Sequence, residues 1–65
     1  MQCRIRIKGH LDPFWQKWFA QLEIVQEEKG TTLLCGYLED QAALYHVLLR
    51  IRNLGLALIA LETNE

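Results

Sequence analysis

Residues 3 to 8, Cys-Arg-Ile-Arg-Ile-Lys, alternate apolar and basic without a break. A period of two is that of a half-buried strand, with Cys3, Ile5 and Ile7 on one face and Arg4, Arg6 and Lys8 on the other. Gly9-His10-Leu11 leaves this strand. Asp12-Pro13 predicts a helix start, because Asp is a good N-cap and Pro suits the first helical position. Trp15, Trp18, Phe19 and Leu22 then recur at i, i+3, i+4 and i+7, so the period becomes helical and one face of a short helix is aromatic. That spacing fits a face turned to a sheet better than a ligand cage. From residue 22 to 28 the period returns to two: Leu22, Ile24 and Gln26 alternate with Glu23, Val25 and Glu27, a second strand. Glu-Glu-Lys-Gly-Thr-Thr reads as a hairpin, with Gly30 at the left-handed position of a three-residue loop. A third strand follows over residues 31 to 39. Gly36 inside it implies close approach of another element, most simply a helix packed on the sheet.

The longest helical pattern lies at residues 40 to 56. Asp40 is its expected N-cap. Leu44, Val47, Leu48, Ile51 and Leu54 form one stripe. Gly55 stands where a left-handed C′ glycine belongs, with Leu56 placed to pack back on Ile51 in a Schellman stop. Residues 56 to 62 make the last strand. The order β-α-β-β-α-β predicts an α+β domain with a ferredoxin-like antiparallel sheet and two helices on one face. The rival arrangement is a β-meander of the first three strands, followed by a helix and a C-terminal strand.

Composition sharpens this. Sixty-five residues make a single domain, and 51% of them are apolar. A chain this short is marginal alone and commonly gains stability by oligomerising. The last strand is apolar on both faces: Leu56, Leu58 and Ala60 on one, Ala57, Ile59 and Leu61 on the other. Tyr45 and Leu49 lie well off the buried stripe of the long helix. Surplus apolar surface of this kind marks an interaction site. The leading expectation is therefore a non-enzymatic module that forms a homodimer, or binds a protein partner, through Tyr45, Leu49, Leu58, Ile59 and Leu61. Sheet-to-sheet packing and edge pairing of the last strand are both open to it.

Charge adds a second class. Seven basic and eight acidic side chains give a net charge of −1, which argues against a dedicated nucleic-acid protein. The row Arg4, Arg6 and Lys8, with Tyr37 on the neighbouring strand, is still a candidate for single-stranded nucleic acid or another anion, through phosphate contact and stacking. The competing reading is a solvated strand face with cross-strand ion pairs involving Glu23 and Glu27. A third class is small-ligand sensing at a dimer interface, with Gly9, His10 and Asp12 as the candidate loop. Asp12 as a cap and His10 as a turn residue explain the same loop without a ligand.

No cofactor is expected, and no metal: Cys3, Cys35, His10 and His46 lack the close pairs that pre-organise a zinc site. Cys3 and Cys35 fall on opposite sheet faces if Gly36 faces the helices, which forbids a disulfide. The longest apolar run, residues 54 to 61, is too short to span a bilayer, and no signal segment is evident. A cytoplasmic location with reduced thiols is the expectation.

Gly9-His10-Leu11-Asp12, Trp18-Phe19, Gly30-Thr31-Thr32-Leu33, Asp40-Gln41-Ala42-Ala43-Leu44 and Arg50-Ile51-Arg52 through Gly55-Leu56 together make a pattern. It resembles a widespread family of small uncharacterised bacterial proteins over nearly the whole chain. The resemblance implies a bacterial, single-domain, cytoplasmic protein and carries no reaction with it.

Overall fold

The structure is a computed structural model and describes residues 1–19 and 21–64. Its elements are β1 (Gln2–Lys8), a 3-10 helix (Pro13–Phe19), β2 (Leu22–Gln26), β3 (Thr31–Tyr37), α1 (Gln41–Asn53) and β4 (Leu58–Asn64). The α+β expectation holds. The four strands form one sheet in the order β2-β3-β1-β4, and each neighbouring pair is antiparallel.

The meander is excluded, because β1 pairs with β3 from Gln2↔Tyr37 to Lys8↔Thr31 and does not touch β2 in the ladder. The reason lies in the crossover between β1 and β2. Leu11 and Phe19 from that segment are buried in the same cluster as Ile5 and Ile7. The segment therefore lies over the apolar face, as burial of its large side chains demands, and delivers β2 to the far side of β3. The rest of the core comes from Cys3, Leu22 and Leu34 of the sheet, from Leu38, and from Leu44, Val47 and Ile51 of α1. Ile5, Ile7 and Leu34 are wholly buried.

Both ends of α1 are fixed by the residues that announce them. The Asp40 carboxylate accepts the N–H of Ala43 at 2.9 Å. At the other end the N–H of Leu56 reaches the Ile51 carbonyl (3.1 Å) and that of Gly55 the Arg52 carbonyl (3.0 Å). These are the two bonds of a Schellman motif, and Gly55 takes the positive φ it requires, +73°.

Three expectations are corrected. The first helix is 3-10, not α, and it ends at Phe19, so Leu22 takes its place at the start of β2, as the alternation from residue 22 implies, and not in the helical stripe. With three residues per turn, Trp15 and Trp18 lie one above the other, their rings 5.6 Å apart and tilted by 56°. Phe19 alone of the aromatic stripe is fully buried, while Trp15 packs partly on the core and Trp18 is largely exposed. Gly36 does face the helix side, but what approaches it is the entry to β2. A Cβ there would sit 2.6 Å from the Gln21 carbonyl oxygen.

The last correction concerns β4, which begins at Leu58, because Leu56 closes the Schellman stop and Ala57 accepts the N–H of Lys8 (2.9 Å). The register slips between Arg6 and Ile7: Arg6 faces Ala60 and Ile7 faces Leu58, so Ile59 is an extra residue. Such a bulge resets the alternation. Leu58 and Leu61 therefore share the helix side, opposite Ile7 and Ile5, and Ala60 joins Glu62 on the other face. Strict alternation would have put Leu58 with Ala60 and Leu61 with Ile59.

Candidate interaction surface

The sheet presents two surfaces outside the core. The first is the sheet face turned away from the helices. β1 places Arg4, Arg6 and Lys8 there, opposite Cys35, Leu33 and Thr31 of β3. Glu23 faces Cys35 from β2, and Glu62 faces Arg4 from β4. Tyr37, at the end of β3, is 59% exposed. Cys35 belongs to this face and Cys3 to the core, and both are free thiols.

Arg6 is already engaged. Its Nε and one Nη donate to the two oxygens of Glu27 at 2.8 and 3.1 Å, and the Thr31 hydroxyl donates to the same carboxylate at 2.7 Å. The hydrogen bonds from Arg6 and Thr31 hold the Glu27 carboxyl at about 2, below the usual 4.5. The same bond raises the pKa of Arg6. Because the carboxylate is the form the fold prefers, the pair contributes fully above pH about 4.5 and its contribution is lost as pH falls toward 2. Urea midpoints of the native chain should fall across that window more steeply than those of Glu27→Gln. Parallel curves would mean the pair contributes nothing.

Arg4 and Lys8 have no carboxylate within ion-pair distance among the described residues. The face nevertheless carries three acids, Glu23, Glu27 and Glu62, against its three bases. It is close to neutral as a whole.

The second surface is the edge formed by β4. Leu58, Ile59 and Leu61 are exposed at 48, 52 and 40%. The backbone on that edge follows from the ladder. In β1 the odd residues bond to β3: Gly9 N–H meets the Gly30 carbonyl (2.6 Å) and Leu38 N–H meets the Met1 carbonyl (2.8 Å). Even residues turn to β4, as Lys8 does toward Ala57. Antiparallel pairs alternate in this way, so Ala60, Glu62 and Asn64 spend their peptide groups on β1. Leu61 and Thr63 direct theirs outward, away from the sheet.

A family model described as "Domain of unknown function (DUF8691)" matches residues 2–62. The chain belongs to this family. The match runs from the start of β1 to Glu62 in β4, so Arg4, Arg6 and Lys8 of the sheet face and Leu58, Ile59 and Leu61 of the edge lie within the DUF8691 domain. Neither the curated proteins nor the solved structures contain a match. No helix among the described residues is long and apolar enough to cross a membrane.

The loop of the DUF8691 domain formed by Gly9, His10 and Asp12 is tied down from inside. The fully buried Thr32 hydroxyl accepts the N–H of Leu11 (3.0 Å) and lies 2.7 Å from the Gly9 carbonyl. Gln26 bridges the same group, with its amide nitrogen on the Leu11 carbonyl and its oxygen 3.0 Å from Thr32. A ring nitrogen of His10 lies 3.0 Å from the Glu27 carbonyl. Asp12 caps the 3-10 helix through the N–H of Phe14 (2.9 Å). Among the described residues no three His, Cys, Asp or Glu side chains gather as metal ligands.

On α1, Tyr45 and Leu49 are exposed at 60 and 49%. They do not share one surface with the open sheet face. Leu49 instead meets Trp18 across a groove that the aromatic stripe, taken as core, leaves unforeseen. Its sequence signal is weak: Trp15 and Trp18 at i, i+3 suit a 3-10 turn as well as an α-helix.

Proposed function

We propose that this DUF8691 domain is a non-enzymatic module that works by self-association, through the free edge of β4. We further propose that its topology is ferredoxin-like. The strand order, taken from the β4 edge, is β4-β1-β3-β2 with antiparallel neighbours, which supports that reading.

The observation that carries the function is the combination on β4. A seven-residue strand presents three large apolar side chains and outward peptide groups on an edge no other element pairs with among the described residues. Such an edge invites another strand. A second copy suits it best when the two β4 strands run antiparallel about a two-fold axis at Leu61. Leu61 then donates its N–H to the carbonyl of its counterpart and accepts the counterpart's N–H in return, and Ala60 sits opposite Glu62 of the other copy. An axis at Glu62 would set two carboxylates face to face, which is unfavourable.

The native chain should therefore sediment as a dimer at high micromolar concentration. Leu61→Glu should sediment as a monomer with an unchanged far-ultraviolet circular dichroism spectrum. A native chain that stays monomeric sinks the proposal, as does a Leu61→Glu variant that still dimerises.

Single-stranded nucleic-acid binding by Arg4, Arg6, Lys8 and Tyr37 ranks behind this, because the face is balanced in charge and Arg6 is held by Glu27. Ligand sensing by Gly9, His10 and Asp12 ranks lower again, since internal bonds occupy that loop.

A further inference from the structure

Between the 3-10 helix and α1 runs a groove of about 330 Å³. Its walls are Trp18, Leu49 and Leu54, and its polar groups are His46, Arg50 and Asn53. The polar three stand at i, i+4 and i+7 on α1, so they form one stripe down the helix. We propose that this groove binds a small carboxylate with an apolar body.

Three observations point to that class. The volume is in the range of small-molecule sites, and the mix of apolar walls with a few convergent polar groups is their usual make-up. Arg50 lies over the Trp18 ring, its guanidinium carbon 5.2 Å from the centroid. It has no carboxylate within ion-pair distance among the described residues. The indole thus holds a cation in place by its π face and leaves the guanidinium N–H groups free for an anion.

The third observation is charge. Among the described residues no Asp or Glu lines this groove or its continuation toward Lys17 and Gln21. In a chain with more acids than bases, an acid-free concavity bordered by Lys17 and Arg50 attracts anions. The C-terminal end of α1 opposes an anion with about half a charge. The carboxylate therefore belongs on Arg50 and His46, a turn back from Asn53, with the apolar body between Trp18 and Leu49.

The test uses the whole chain, ¹⁵N-labelled, titrated with 3-phenylpropanoate, octanoate and the neutral 3-phenylpropanamide. At least one carboxylate should shift the Trp18 indole and the Arg50 and Asn53 backbone signals in a saturable way. The amide should bind about tenfold more weakly or worse, as the loss of a charge-assisted bond implies. Arg50→Gln should weaken the carboxylate by a similar factor and leave the amide unchanged. Arg50→Lys, which keeps the charge, should recover part of the loss. Lys29→Gln, outside the groove, should bind as the native chain does. The proposal is overturned if neither carboxylate binds, if acid and amide bind equally, or if Arg50→Gln, folded by its spectrum, retains the native affinity. Because β4 takes no part in the groove, Leu61→Glu should bind the carboxylate normally whether or not the native chain dimerises.

Discussion

Gly36→Val is expected to remove about 3 kcal/mol or more of the domain's stability, a large share of what a chain this short has. The first side-chain atom alone would stand 2.6 Å from the Gln21 carbonyl and 3.1 Å from the Leu22 side chain. The first of these is backbone and cannot swing aside. Relief requires β2 to draw away from β3, which disturbs the Leu22↔Gly36 end of their ladder and the burial of Leu22. A cost of about 3 kcal/mol or more is reasonable for overpacking against a fixed atom. The whole stability of a chain this short is about 3–10 kcal/mol. Gly30→Ala supplies the contrast. A Cβ there meets nothing within 4 Å, and only the positive φ of +76° is strained, for about 1–2 kcal/mol. Urea denaturation of the two variants should separate steric from conformational cost; similar midpoints would refute the steric account.

Thr32→Val should cost about 2–3 kcal/mol, although the two side chains have nearly the same shape. The hydroxyl is the buried junction between the loop after β1 and the β2–β3 hairpin. Valine leaves the Leu11 N–H, a buried donor, with no partner, and removes the group facing the Gly9 carbonyl and the Gln26 amide. The melting temperature should fall by roughly 10 °C or more. Thr31→Val, one residue earlier, removes a bond to the half-exposed Glu27 and should lower it much less. An unchanged melting temperature for Thr32→Val would mean that water or a shifted Gln26 replaces the hydroxyl.

The parts of this fold that were legible in the sequence are those where one residue type has one use. The alternation from Cys3 to Lys8 specifies which side chains face the core. Asp40 and Gly55-Leu56 mark the ends of α1, and their hydrogen bonds are the ones such residues make. The 3-10 helix was not legible, because Trp15 and Trp18 satisfy both helical periods, and Phe19 and Leu22, which complete an α-helical stripe with them, instead go to a different face and to β2, where Leu22 pairs with Gly36. The bulge at Ile59 was hidden for a different reason. A run of uninterrupted apolar residues has no polar beat against which an extra residue would show. The surplus at Leu58, Ile59 and Leu61 could thus be foreseen, but not the side of the sheet it occupies. The groove needed Trp18 and Arg50 to meet across two elements distant in the chain, which no local pattern encodes.

The central position of β1 has a consequence for how the domain comes into being. Both of its neighbours follow it in the chain, and one of them is the last strand: Ile5 must find Leu34 and then Leu61. During synthesis β1 leaves the ribosome before either partner exists. Its Cys3-Ile5-Ile7 face cannot be buried by local contacts alone. Closure of so long a loop is slow relative to the helix and hairpin that form on the way. The sheet cannot be completed until β4 has been made, and the nascent chain spends that interval with the β1 edge exposed. A crowded polysome, where many such edges lie close together, is where this molecule is most prone to pair with the wrong copy.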